Sequence, residues 1–149
     1  MLTVSELMSG DHRDCDDEFA LIEQGLATGN WDITTRAIDV FRGAMERHLG
    51  AEESILFPAF ESATGITMGP TRVMRMEHLQ MRALFDEISA AAADKDADGL
   101  SGQLETLLIM MQQHNLKEEN VLYPMCDQHL VAELPDVTGA LGAEVVRAA

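Results

Sequence analysis

The sequence predicts an all-α protein, specifically an up-down four-helix bundle built from two related helix hairpins. Apolar residues return every three or four positions over four long segments, which is the spacing of an amphipathic helix. Aromatic residues make up only 5% of the 149 residues and methionines number ten, a composition that favours helices over β-strands. Short stretches rich in glycine or polar residues separate the segments, as expected for neighbouring helices with short connections.

The first half of the chain contains two of the predicted helices. Residues 3–6 have capping-box spacing and predict a short leading turn that ends at Gly10. The first long helix is predicted over about residues 9–28, because the Gly-Asn pair at 29–30 then breaks the pattern. The second helix is predicted over about residues 32–58, where a proline interrupts it.

The second half repeats this plan. Residues 63–70 are dense in helix breakers and predict a central loop. The third helix is predicted over about residues 71–93 and ends in a polar run, and the fourth over about residues 100–124. The domain is predicted to span residues 1–129, followed by a C-terminal tail over residues 130–149 to which no role is assigned.

Charge and composition exclude several classes of partner. Acidic residues outnumber basic ones 26 to 10, giving a formal net charge of −16, which repels phosphate backbones and anionic lipid surfaces. We therefore expect neither nucleic acid nor a membrane as a partner. Two cysteines do not make a disulfide framework. The first residues lack the basic start and apolar run of a signal peptide, so a cytoplasmic protein is expected.

An internal repeat relates the two halves with an offset of 66 residues. It pairs each histidine of the first half with one of the second: His12 with His78, and His48 with His114. Residues 48–58 and 114–124 also share His, Glu, Glu, Leu and Pro at matching positions. The two halves are therefore interpreted as two copies of one helix hairpin.

A glutamate follows one histidine of each half by four residues, so the two side chains share a helix face. These faces also carry apolar residues at helical spacing and no lysine or arginine. Burying a carboxylate without a compensating charge is costly, and a divalent metal supplies that charge. We interpret six residues as metal ligands: His12, His48, Glu52, His78, His114 and Glu118.

The chemistry of this ligand set favours iron. Imidazoles and carboxylates without a thiolate suit iron or manganese, with zinc as a further candidate. Six ligands exceed the needs of one tetrahedral zinc and divide over two metals, each with two histidines and two shared carboxylates. A bridging oxide or hydroxide leaves one open position on each metal. We expect small uncharged ligands such as O2 or NO to bind there.

The sequence resembles the hemerythrin-like family, also called the HHE cation-binding domain, up to about Asp127. The resemblance rests on a lone His, a His-x-x-x-Glu motif, a second lone His and a second His-x-x-x-Glu, with Leu-(Phe/Tyr)-Pro after each motif. It implies that the four histidines are terminal iron ligands and that the two glutamates bridge an oxo- or hydroxo-bridged di-iron centre.

One ligand of the family's oxygen carriers is missing. Those proteins have a fifth histidine one turn from the third-helix histidine, where this sequence has Met74 and Arg82. The four-histidine pattern is similar to the repair-of-iron-centres proteins, which act in nitrosative and oxidative stress and usually carry a paired-cysteine domain not found here. The resemblance implies a stress-response or repair role. The alternatives are a reversible O2 or NO carrier or sensor, and a structural metal whose acidic surroundings serve a partner.

Residues near the six ligands leave further alternatives open. Glu119 is the alternative bridging ligand. Cys15 is either a small core residue or a thiol close to the metal, and Asp16 is placed to hydrogen-bond a ligand histidine. Tyr123 is expected to serve mainly in packing, because its partner in the repeat is Phe57. No catalytic residue is assigned.

Overall fold

A computed structural model describes residues 2–147; residue 1 and residues 148–149, the ends of the predicted domain and tail, lie outside the described part. The described chain is helical and contains no strand, which confirms the predicted all-α class. The elements are α1 (Val4–Thr28), α2 (Trp31–Ala51), a first π segment (Glu52–Leu56), α3 (Phe57–Thr64), α4 (Pro70–Ala93), α5 (Ala97–Lys117), a second π segment (Glu118–Leu122), α6 (Tyr123–His129) and α7 (Leu134–Val145).

Helix α1 begins with the predicted capping box but does not stop at Gly10. The Thr3 hydroxyl accepts a hydrogen bond from the Glu6 amide, and the Glu6 carboxylate accepts one from the Thr3 amide. The predicted end at Gly10 is wrong, because Val4 and Met8 before it are fully buried. Their packing outweighs the cost of roughly 1 kcal/mol for one glycine inside a helix. The helix ends where predicted, at Gly29, which adopts a φ of 70° that favours glycine.

The second and fourth predicted helices run through the prolines that were expected to end them. In an α-helix the Pro58 ring would clash with the carbonyl four residues earlier. The first π segment precedes this proline, and the Phe57 amide donates to the Glu52 carbonyl five residues back. The second π segment repeats this bond before Pro124. The wider turn gives each proline room, so the helix continues into α3 or α6.

The four long helices have definite neighbours. Helix α1 packs against α2, and α4 packs against α5, so each half of the chain forms one helix pair. The pairs meet where α2 contacts α4 and where α1 contacts α5. The two-residue connection between α1 and α2 holds that pair side by side, and Asn30 caps α2 by accepting a hydrogen bond from the Ile33 amide.

Two apolar clusters fill the interior. The first lies between the C-terminal half of α1, the length of α2 from Ile38 to Leu49, the C-terminal half of α4, and α5. It contains Phe19, Phe41 and Phe85. The second surrounds the start of α1, both π segments and α3, and contains Met8 and Phe57. The buried residues between these clusters include one histidine from each long helix and one glutamate from each π segment: His12, His48, His78, His114, Glu52 and Glu118. A polar layer therefore separates two apolar ones.

The segment predicted as a tail contains helix α7. Leu134, Val137 and Leu141 are buried in the second apolar cluster, and α7 packs against α1, α2 and the first π segment. This helix is not among the elements predicted from the sequence. Within residues 2–147, no helix is both long enough and apolar enough to cross a membrane.

Candidate metal centre

The structure brings the six predicted ligands together in the polar layer. All six side chains are buried. Their donor atoms form two groups suited to a metal ion, one with Glu52, His78, His114 and Glu118, the other with His12, His48 and Glu118. His12 and His48 come from the first helix pair, whereas His78 and His114 come from the second. Each half of the repeat therefore supplies the histidines of one group.

The two glutamates lie between histidines of different halves. Glu52 has Oε1 at 3.1 Å from Nε2 of His78 and Oε2 at 3.6 Å from Nε2 of His48. Glu118 has Oε1 at 3.1 Å from Nε2 of His12 and at 3.3 Å from Nε2 of His114. Each carboxylate thus spans both groups, as a ligand shared by two metal ions does.

Unpaired donor atoms show that the cluster fits a metal. Buried polar groups in proteins nearly always have a hydrogen-bond partner. Within the described residues, five buried side-chain atoms lack one, and four of them belong to this cluster: Oε1 of Glu52, Nε2 of His78, Nε2 of His114 and Oε2 of Glu118. Imidazole nitrogens and carboxylate oxygens together suit iron, manganese or zinc. A metal ion satisfies these atoms where no protein group does.

Each histidine is held on its other side by a carboxylate. The Nδ1 atom donates to a carboxylate oxygen in four pairs: His12 to Glu119 (2.7 Å), His48 to Asp11 (2.7 Å), His78 to Glu53 (2.7 Å) and His114 to Glu77 (2.8 Å). A carboxylate only accepts, so it fixes the proton on Nδ1 and leaves the Nε2 lone pair of a neutral ring for a metal.

These four carboxylates are sequence neighbours of the ligands and follow the same repeat. Two immediately precede the lone histidines, and two immediately follow the proposed bridging glutamates: Asp11 and Glu77, and Glu53 and Glu119. Adjacent residues on a helix point about 100° apart. In each adjacent pair, the proposed ligand therefore points into the cluster, while its neighbouring carboxylate points to a histidine on another helix. The repeated motifs Asp/Glu-His and Glu-Glu are the sequence signal for these four carboxylates. Their contacts with the histidines were not predicted from the sequence.

Cations support three of the four carboxylates, and their positions do not follow the repeat. Glu53 pairs with Arg82 through two hydrogen bonds of 2.7 and 3.0 Å. Glu77 pairs with Lys117, and Asp11 pairs with Arg147 at 2.6 Å. Among the described residues no such cation pairs with Glu119.

The repeat explains this exception. The position equivalent to Arg82 is Asp16. Burial, and then repulsion from Glu119, raise the pKa of Asp16 against the opposing effect of His12. Glu119, which holds His12, therefore has the acidic Asp16 near it. Glu53, which holds His78, has Arg82 at the equivalent position.

The cluster carries charge in the absence of a metal. Burial alone would lower the pKa of His48, but Glu52 and Asp11 outweigh it and raise the pKa to about 10. Burial opposes the same effect at His114, where Glu118 raises the pKa to about 9. Burial would raise the pKa of Glu52, yet the charge of His48 and nearby hydrogen bonds hold it well below its usual range. Protons on histidines thus balance the buried carboxylates when no metal is bound.

Tyr123 reaches into the centre of the cluster, beyond the packing role expected for it. Its hydroxyl donates to Oε2 of Glu52 at 2.6 Å, and it lies 3.0 Å from Oε1 of Glu118. The side chain is fully buried. Burial, followed by the charges of the two glutamates, raises the pKa of this phenol well above its usual value.

The open alternatives of the sequence analysis have definite positions. Glu118 has its carboxylate inside the cluster, whereas Glu119 holds His12 from outside. Cys15 is a free, buried thiol of the first apolar cluster, and burial raises its pKa, which matches the core-residue alternative. Asp16 makes no hydrogen bond to a histidine within the described residues. Asp11 and Glu119 instead accept the hydrogen bonds from His48 and His12.

Comparison with known proteins identifies the domain. The family model described as the hemerythrin HHE cation-binding domain matches residues 3–126, a range that includes every residue of the cluster. A search of curated proteins and a search of solved structures gave no match. The match covers most of the chain and contains two histidine pairs joined by two shared carboxylates, and so the chain belongs to the hemerythrin HHE cation-binding domain family.

Proposed function

We propose that this chain is a non-haem di-iron protein that binds or reacts with O2 or NO, in the response to oxidative or nitrosative stress or in the repair of iron centres. The observation that carries the proposal is the set of four buried donor atoms without a protein partner, on four different helical segments and facing one another. The family to which the chain belongs binds cations through this domain.

In this proposal each half of the chain holds one iron. His12 and His48 would hold the first, His78 and His114 would hold the second, and both glutamates are placed to bind either ion. Two iron ions held in this way supply one-electron redox chemistry and affinity for diatomic ligands. The chain holds the histidines in a fixed orientation through the four outer carboxylates, and the apolar clusters on either side keep bulk water out. An apolar surrounding and a net charge of −16 both favour an uncharged ligand over an anion.

The helix neighbours also support a more specific architecture. We propose that α1, α2 with α3, α4, and α5 with α6 form an up-down four-helix bundle. Each of these rods contacts the next, and the last contacts the first. Short connections between consecutive helices favour antiparallel neighbours.

The absence of a fifth histidine favours reaction over reversible binding. Met74, one turn before His78, is buried in the second apolar cluster. Arg82, one turn after it, is engaged with Glu53 and Glu46. Neither supplies another nitrogen ligand beside His78, so the iron held by His78 and His114 would keep a position at which a diatomic molecule can react.

An anaerobic optical titration tests the proposal. The protein is loaded with ferrous iron, its iron content per chain is measured, and it is titrated with O2 and then deoxygenated. We expect two irons per chain and an oxidised spectrum that persists after deoxygenation. A charge-transfer band that disappears on deoxygenation would instead establish a reversible carrier or sensor. A chain that takes up no iron overturns the proposal, and His48→Ala provides the control for adventitious iron.

A further inference from the structure

We propose that Tyr123 is an oxygen ligand of the iron held by His12 and His48, so that the two metal positions of the centre are chemically unequal. The inference rests on the proposed di-iron centre and adds a residue to its ligand set. It also assigns the binding of an external ligand mainly to the iron held by His78 and His114.

The position of the hydroxyl carries the inference. Besides its hydrogen bonds to Glu52 and Glu118, the Tyr123 oxygen lies 3.2 Å from Nε2 of His12 and 3.4 Å from Nε2 of His48. It is therefore within 3.4 Å of four atoms that belong to the proposed ligand set. A phenol that merely supported one carboxylate would need only one of these contacts. An oxygen surrounded by the donor atoms of one metal position is placed to become a donor itself.

The repeat shows what the other metal position lacks. Phe57 is the residue equivalent to Tyr123, and the two rings take matching places. Tyr123 stacks on His12 with centroids 5.6 Å apart and planes at 29°, while Phe57 stacks on His78 at 5.6 Å and 30°. The rings pack alike, but Phe57 has no oxygen to direct at the second metal. The position that Tyr123 occupies at the first iron is thus left for an external ligand at the second.

The coordination step is balanced without an oxidant. The Tyr123 O–H bond breaks, an oxygen–metal bond forms and the proton leaves to solvent, while the ring keeps all its electrons. The ring is already packed against His12, with centroids 5.6 Å apart.

Spectroscopy of the iron-loaded, oxidised full-length chain tests this inference. A phenolate bound to ferric iron gives a visible charge-transfer band and characteristic tyrosine vibrations in resonance Raman spectra. Tyr123 is the only tyrosine of the chain, so any such signal belongs to it. Ring-deuterated tyrosine shifts these vibrations and confirms their origin. This experiment needs no substitution and therefore remains decisive if a variant fails to fold.

Two matched variants extend the test. Tyr123→Phe gives both halves the same ring, and we expect it to keep two irons while losing the band. Phe57→Tyr places a phenol at the second position, and we expect it to strengthen the band. With azide as a probe of open positions, wild type should bind one azide per pair of irons, Tyr123→Phe should bind two, and Phe57→Tyr should bind less than wild type.

The possible failures are distinguishable. Two irons per chain without tyrosine vibrations in wild type would overturn the role of Tyr123 and leave the proposed function intact. No iron binding in wild type would overturn the proposed function itself. Equal azide stoichiometry in wild type and Tyr123→Phe would contradict the assignment of the external ligand to the second iron.

Discussion

The guanidinium of Arg147 lies 2.6 Å from Oδ1 of Asp11, although the two residues are 136 positions apart. The other oxygen of Asp11 lies 2.7 Å from Nδ1 of His48. A residue beyond helix α7, and outside the range matched by the family, therefore supports a predicted metal ligand through one intermediate carboxylate. Arg147 also contacts Glu18 at 2.9 Å, which holds the segment just after α7 against α1.

Replacing this arginine measures the contribution of the C-terminal segment. We expect Arg147→Ala to lower the free energy of unfolding of the metal-free protein by about 1.5 to 3 kcal/mol, the range for hydrogen bonds to charged groups, because the buried Asp11 loses its cation. Urea unfolding measures the change. Arg13→Ala, which removes an exposed arginine of α1, is the matched control. An equal effect of the two variants would contradict the prediction.

Substitution of adjacent glutamates separates a bridging ligand from its outer neighbour. Glu118→Ala should abolish binding of two irons per chain, because this carboxylate lies between His12 and His114. Glu119→Ala should still bind two irons, but with an affinity lower by about 10- to 100-fold, which is typical for removing the partner of a ligand histidine. Metal analysis after equilibrium dialysis measures both. Two irons in the Glu118 variant would contradict the ligand assignment.

Arg82 supports His78 through Glu53, and its removal should weaken the metal site without emptying it. We expect Arg82→Ala to lower the affinity for Zn²⁺, a redox-inert probe, by up to about 10-fold. The reason is that Glu53 loses both hydrogen bonds to the guanidinium and holds the ring less firmly. Competition with a chelator gives the affinity. Arg36→Ala removes an exposed arginine of α2 and should leave the Zn²⁺ affinity unchanged.

Metal binding should release protons near neutral pH. The pKa of His48 is raised to about 10 and that of His114 to about 9 in the metal-free protein, so both rings are protonated there and must lose a proton to bind a metal. Zn²⁺ affinity should therefore rise from about pH 6 to about pH 8. Calorimetric titration in buffers of different ionisation enthalpy counts the protons. Binding without proton release would contradict the charged state of these histidines.

The same pKa values fix the sign of a stability change. A histidine whose pKa is raised on folding stabilises the folded chain fully below its unfolded-state value, and this contribution disappears as the pH rises through the folded-state value. The metal-free protein should therefore have a lower Tm at about pH 10 than at about pH 7. Thermal unfolding followed by circular dichroism measures this. In the zinc-loaded protein the histidines are already deprotonated, so its Tm should fall less between these two pH values.

The clustering of the six proposed ligands was predictable because the repeat places them at equivalent positions on buried helix faces. His12 and His78, for example, are recognisable together although neither is informative alone. The outer carboxylates were not predicted, because Glu53 and Glu119 reach histidines on other helices, and sequence spacing does not show which helices are neighbours. The position of the Tyr123 hydroxyl in the cluster was not predicted, because the repeat partner of this residue, Phe57, has no hydroxyl. The hydroxyl is a chemical difference between the two halves of the cluster.

Helix limits were predicted well where a cap determines them and poorly where packing or backbone geometry does. Gly29 and Thr3 act through local hydrogen bonds and φ angles, which the sequence shows directly. The helix continues through Gly10 because its neighbours are buried, and past Pro58 because a π turn precedes that proline. The contact between Arg147 and Asp11 could not be predicted from the sequence, because it depends on how α7 packs against α1 and α2.

The division of the histidines between two equivalent helix pairs has an evolutionary consequence. One hairpin contains a complete set of histidines for one metal and one of the two glutamates that join the metals. Two separate copies of such a hairpin, related by a two-fold axis, would assemble the whole centre as a homodimer. In that ancestor both metals would necessarily be identical. Fusion of two such copies into one polypeptide would allow a tyrosine on one side and a phenylalanine on the other, and thus two unequal positions in the proposed metal centre.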